Sequence, residues 1–235
     1  TSSVEANEVA GNLRYGLHFM SSHGSRYLGN RFSRNGAGVA VMYSRDVEMT
    51  GNVFEFSWGG SSYGLLIKDL TDSRISGNTF HHNSTAIYSQ GATRVAFTRN
   101  EFRENGWALR ILADGGSNTI EGNNFVRNSF DVATNGRLSD HEFARNYWDR
   151  YEGYDLNHDG VGHVPYRLDS LFPPLVERVP ASVLLIRSFM MHLMDRAEKA
   201  LPSLTPEGVL EGTPARRPHA IPDRAMISPG KPQQP

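Results

Sequence analysis

A right-handed parallel β-helix is the fold class the sequence predicts, an all-β solenoid over residues 1–170 with a cap at 149–170. Three observations predict it. The phrase Asn-x-Phe-x-x-Asn occurs as Asn30-Arg31-Phe32-Ser33-Arg34-Asn35 and again at 78–83, 100–105 and 123–128, with looser copies at Asn7, Asn52 and Asn146. The leading asparagines, at 7, 30, 52, 78, 100, 123 and 146, are 23, 22, 26, 22, 23 and 23 residues apart. Such a period marks repeats that bury a core only by stacking on one another. Finally, each period holds short stretches alternating at period two, such as Val39-Ala40-Val41-Met42 and Val47-Glu48-Met49, separated by turn residues.

The composition agrees. Of 235 residues, 38% are hydrophobic and 23 are glycine, which suits turn-rich β-structure better than a helical bundle. Net charge is −1 with both signs mixed, so no basic footprint for nucleic acid exists. Cysteine is absent, which removes disulfides, thiolate metal sites and thiol nucleophiles. The chain opens inside a running repeat, and the expectation is that earlier coils and any targeting segment precede Thr1.

Taken in order, the first coils place Leu17, Val39, Leu65, Ile87, Leu109 and Val132 inward. A leucine-rich repeat is the rival architecture, but its helical return is disfavoured by glycine-rich returns such as Asn35-Gly36-Ala37-Gly38. Coils about 4.8 Å apart would stack Phe32, Phe54, Phe80, Phe102, Phe125 and Trp148 into one internal ladder, and the leading asparagines into another. The period stretched by four residues locates an insertion at 56–63, with Trp58 and Tyr63 either as a tolerated surface loop or as partner-contact anchors.

The outward residues carry any chemistry. Met20 and Met42 should stack on neighbouring coils with His18 on the same face, a soft donor set that suits Cu(I); partner-contact surface is the alternative. His81-His82 reads as ordinary surface, because neighbours on a strand point to opposite sides. A carbohydrate-active or carbohydrate-binding β-helix is the alternative function. The outward ladder His18, Ala40, Leu66, Tyr88, Arg110 and Ala133 offers no paired carboxylates for acid–base work, so the expectation is a non-enzyme.

In the cap, Asp155, Asn157 and Asp159 stand at alternate positions before Gly160, as oxygen ligands do in a calcium loop. Position twelve is Tyr166 in place of the closing carboxylate, so a metal-free turn is equally open. Residues 171–205 read as an extended segment and an apolar helix over 181–201. The twelve-residue stretch 183–194 within it, apolar but for Arg187, Ser188 and His192, is too short to span a bilayer, so Leu185, Phe189, Met190 and Leu193 are expected to dock into a partner's groove. Residues 206–235, rich in proline, are expected to be disordered.

The stretches Leu17-His18-Phe19-Met20, Val39-Ala40-Val41-Met42-Tyr43-Ser44, Asn146-Tyr147-Trp148-Asp149-Arg150-Tyr151 and Leu201-Pro202-Ser203-Leu204-Thr205-Pro206 together resemble the NosD family. These are periplasmic β-helix proteins of nitrous oxide reductase maturation. The resemblance spans about residues 5 to 206. It implies a periplasmic accessory protein, partnered by the permease and ATPase of an ABC transporter, a copper chaperone and the reductase, with membrane contact only through the permease. It also implies transient copper at His18, Met20 and Met42, and it places His163 where relatives carry an acidic residue, which weakens the calcium reading.

Overall fold

The computed structural model describes residues 2–112, 115–134, 140–168 and 210–221. Three parallel sheets of seven, seven and six strands wrap one core. A single coil runs through Arg74–Ser76 in the first sheet, Thr79–His81 in the second and Thr85–Gln90 in the third. Each strand pairs in parallel with its equivalents one period away: Phe80 lies opposite Phe54 and Phe102, and Ile87 opposite Leu65 and Leu109. The architecture and the registers are those the repeat predicts.

Inside, the aromatic ladder forms. Phe32, Phe54, Phe80, Phe102, Phe125 and Trp148 stack with ring centroids 5.3, 4.7, 5.1, 4.9 and 4.1 Å apart, and Tyr166 of the cap adds a further ring 4.8 Å beyond Trp148. The stack needs small neighbours. At Gly64 a Cβ would stand 3.2 Å from both Phe54 Cβ and Phe80 Cδ1, and 2.7 Å from the Ala86 carbonyl oxygen.

Two asparagine ladders hold the corners. Asn78 Oδ1 accepts from the Asn52 amide N–H and from Asn52 Nδ2, each at 2.9 Å, while Asn78 Nδ2 donates to Asn100 Oδ1 and to the Met49 carbonyl. All four bonding positions of this fully buried amide are therefore filled. The second ladder runs through Asn83, Asn105 and Asn128 on the same pattern and links Asn12 to Asn35, but it is interrupted at Ser57, whose N–H donates to Asn83 Oδ1 while its buried hydroxyl has no hydrogen-bond partner. Ser57 stands where the other coils have asparagine, and five residues rather than one lie between it and the next strand, which places the four-residue insertion at 58–61. Every rung is preceded by a left-handed residue. In the first corner these include Gly29, Gly51 and Gly77; in the second, after Gly11, they bear side chains, namely Arg34, Phe56, His82, Glu104 and Arg127. Asn78→Ala strands two donors and a carbonyl, and we expect it to cost about 2–4 kcal/mol, against about 1 for the exposed Asn12→Ala. Urea titration of the two variants measures both.

The tail differs from expectation. Residues 210–221 are ordered against the last coil instead of being part of a disordered segment. Leu210–Glu211 pairs antiparallel with Tyr166–Arg167, and Ala215 bridges Tyr147 and Val161. Glu211 is fully buried, and its carboxylate accepts from Asn146 N (2.7 Å), Asn146 Nδ2 (3.1 Å) and Trp148 Nε1 (2.8 Å). A side chain from the tail thus takes the place of the asparagine oxygen that a further coil would supply. Burial without a countercharge raises the Glu211 pKa, and those three hydrogen bonds offset the rise only in part. Proline content predicts disorder only where nothing pays the ordering entropy, and here the open ladder end does. Residues 171–205, including the expected helix over 181–201, lie outside the described residues.

Candidate functional site

The third sheet places the predicted soft donors as expected in register. Met20 lies opposite Met42, and His18 opposite Ala40. Within the strand Tyr15–Met20, His18 and Met20 are two residues apart and both exposed, so they share the outer face, while Phe19 between them is buried. Met42 is half-buried, and the next rung carries Lys68, which ends the soft stretch. The Tyr15 ring sits 4.9 Å from His18. Two thioethers and an imidazole on adjacent rungs about 4.8 Å apart fit a soft monovalent ion such as Cu(I) in donor chemistry.

Trp58 is 60% exposed on the inserted loop. Tyr63 is not: it begins the strand Tyr63–Thr71, is half-buried, and leans on Tyr88 at 5.0 Å. Of the two aromatic anchors expected there, only Trp58 stands clear of the sheet. The docking residues Leu185, Phe189, Met190 and Leu193 lie outside the described residues. Among the described residues no helix is long and apolar enough to cross a membrane.

The Asp155–Asp159 loop is already closed by its own backbone. Gly160 N–H donates to Asp155 Oδ2 at 2.8 Å and Val161 N–H to Asp159 Oδ1 at 2.9 Å. His163, at the ninth position, turns its Nδ1 to the Leu156 N–H at 3.2 Å. Backbone donors from Gly160, His158 and Asp159 hold Asp155 below the usual carboxylate range against the opposing cost of its desolvation. Asp155 Oδ1 is buried and without a hydrogen-bond partner.

A third constellation escaped the sequence reading. His81 ends the strand Thr79–His81, and His82 follows at the left-handed corner with φ 52°. That turn brings the two rings to the same side, 4.3 Å apart, where an extended strand would separate them. Both meet Glu104 of the next coil: Glu104 Oε2 is 3.4 Å from His81 Nε2 and 3.0 Å from His82 Nε2. The other oxygen of Glu104 pairs with Arg127, one coil further on. Phe56 packs against both imidazoles from the coil before, at 5.8 and 5.5 Å. Desolvation pushes the Glu104 pKa up, but Arg127 and the two histidines together outweigh it, and the carboxyl is held low. The only signal in the sequence was the position of His82 immediately before a rung asparagine, the place where every coil turns left-handed.

A family model described as "Periplasmic copper-binding protein (NosD)" matches residues 1–157. A protein of Stutzerimonas stutzeri named "Probable ABC transporter binding protein NosD" is 27% identical over 193 residues, covering 74% of this chain and 44% of its own length. One of the same name from Pseudomonas aeruginosa is 30% identical over 191 residues, with the same shares. The chain therefore spans less than half the length of these curated relatives. Among solved structures, the fluoroquinolone resistance protein QnrB1 is 12% identical over 62% of this chain and 81% of its own, at a TM-score of 0.22 that supports no comparison of fold or function.

Proposed function

The chain belongs to the NosD family, and from that premise we propose that it is a non-enzymatic periplasmic accessory protein that works beside an ABC transporter in assembling the copper sites of nitrous oxide reductase. Copper is then cargo, carried in passing as Cu(I) by His18, Met20 and Met42. The observation behind this reading is the registered pair Met20 and Met42 with His18 on the same outer face. Thioether sulfur discriminates for Cu(I) over the harder periplasmic cations, and an outward-facing set of only three donors holds it loosely enough to hand on.

The family's description as periplasmic copper-binding proteins and the relatives' name as ABC transporter binding proteins support the coarser role. The finer assignments are part of the proposal: a permease and ATPase contacted through residues 181–201, a copper chaperone as donor, and the reductase as recipient. The apolar run there, with Leu185, Phe189, Met190 and Leu193, has the composition of a groove-docking helix. Deleting 181–201 is expected to abolish co-purification with the transporter subunits, and an intact complex would remove that contact from the proposal.

Anaerobic Cu(I) titration against a competing chelator tests the metal part. The full chain should bind one Cu(I), and the His18/Met20/Met42 triple alanine variant should lose at least about 100-fold in affinity, since no soft donor set remains on that face. Equal binding by both chains would overturn the copper assignment and leave a docking platform.

A further inference from the structure

We propose that His81, His82 and Glu104 form a second metal site, for a divalent late-transition-metal ion of the Zn²⁺ or Cu²⁺ type, independent of the soft site on the third sheet. Among the described residues, this is a group whose three candidate ligand atoms all lie within 4.8 Å of one another. Two imidazole nitrogens and a carboxylate oxygen form a borderline-hard donor set, which selects divalent zinc or copper over Cu(I).

The spacing fits as well as the chemistry. In a tetrahedral zinc site with bonds of about 2.1 Å, neighbouring ligand atoms are about 3.4 Å apart. Glu104 Oε2 lies 3.4 Å from His81 Nε2 and 3.0 Å from His82 Nε2. The carboxylate oxygen thus already stands near ligand spacing from each imidazole nitrogen, and all three atoms lie within 4.8 Å of one another. An ion placed there displaces the protons these groups share, because it needs both imidazoles neutral at Nε2.

The surroundings are those of a supported site. The second carboxylate oxygen is engaged by Arg127, which orients Glu104 and leaves Oε2 as the free ligand atom. Phe56 covers the two rings on the side of the preceding coil. The backbone beneath is held by the asparagine ladder, since Asn83 and Asn105, the residues after His82 and Glu104, are bonded rungs. Three protein ligands complete, a fourth position is left for water or a donor brought by a partner, as in sites that exchange or act on their ligands. His81 also lines the groove between the second sheet and residues 218–221, together with Glu101, Arg103, Asn124 and His219.

The test uses the full chain without an affinity tag, titrated with Zn²⁺ against a chromophoric chelator and with Cu²⁺ followed by electron paramagnetic resonance. The expected result is one tight equivalent, with two-nitrogen hyperfine structure in the copper spectrum. His82→Ala and Glu104→Gln should each weaken Zn²⁺ binding by more than about 100-fold, beyond the roughly 10–100-fold typical of losing a supporting group. Arg127→Ala, as a supporting group, should lose about 10-fold. The His18/Met20/Met42 triple alanine variant should bind Zn²⁺ as the parent does, which separates this site from the copper reading. Unchanged circular dichroism in each variant excludes unfolding as the cause. Absence of a stoichiometric equivalent in the parent chain, or equal affinity in parent, His82→Ala and Glu104→Gln, would overturn the proposal.

Discussion

Phe80→Ala is expected to destabilise the solenoid by about 3–5 kcal/mol, the range for emptying a fully buried aromatic position. Phe80 is wholly buried, with rings above and below it at 4.7 and 5.1 Å. The cavity cannot close by collapse, because coil spacing is set by the backbone ladders on either side and by the flanking asparagine rungs. Phe80→Leu keeps most of the volume and should cost no more than about 1.5 kcal/mol. Since each coil contacts only its neighbours, a deficit in the middle of the stack should also split the unfolding transition, each half melting with its own stability. Guanidinium titration followed by circular dichroism, with hydrogen exchange on either side of the rung, reads both effects. A loss below about 1 kcal/mol would mean that the rings add little beyond what the backbone already secures.

Glu211→Ala should cost about 3–4 kcal/mol and release residues 210–221 from the end of the stack. The substitution leaves Asn146 N–H, Asn146 Nδ2 and the Trp148 indole N–H without an acceptor, each buried donor worth about 1–3 kcal/mol if water cannot reach it. Part of that sum is recovered when the freed segment lets water in. Glu211→Gln retains one carbonyl oxygen for Asn146 but faces Trp148 Nε1 with an N–H₂ group, so an intermediate loss is expected. Trp148 fluorescence and protease cleavage between 205 and 221 report the release directly. Protection of that segment unchanged in Glu211→Ala would show that its other contacts, the bridges at Ala215 and the Asn124–His219 hydrogen bonds among them, hold it without Glu211.

The same carboxyl sets a pH dependence. Its folded pKa is raised above the ordinary glutamate value of about 4.3. Folding therefore favours the protonated form, the contribution to stability is fully present below that value, and it is lost as pH rises through the raised pKa. Asp131 acts with the same sign: partly exposed by area yet closely ringed by protein atoms, it is pushed up to about 6, mainly by desolvation. Stability should fall between about pH 4 and the raised values, and Glu211→Gln should flatten that slope without abolishing it. Denaturant midpoints at several pH values for the two chains measure the difference.

The solenoid was legible because its information is periodic. A repeat of 22 or 23 residues with one four-residue insertion specifies which side chains are stacked, and counting along it yields the register of Met20 on Met42 and of Ile87 on Leu65 without knowledge of any dihedral angle. The donors His18, Met20 and Met42 could be brought to one face for the same reason. Two features were not legible. The His81, His82 and Glu104 cluster depends on a backbone sign: a positive φ at His82 reverses the side to which its ring points, and alternation, which holds only within a strand, assigns it wrongly. Tyr63 fails as an exposed anchor because the insertion ends at residue 61, before the strand that Tyr63 begins, so it belongs to the sheet and packs on Tyr88.

By itself, then, the sequence determined the coil, its ladders and which residues face outward along the strands, since each of these follows from local spacing repeated through the chain. Tertiary structure alone decided the ends and the corners. Glu211 reaches Asn146 across 65 residues, and nothing periodic announces a single acidic side chain completing an asparagine ladder. What selects it is the free end of the stack, where buried N–H groups without an acceptor cost more than the ordering of a short proline-rich segment that can supply one.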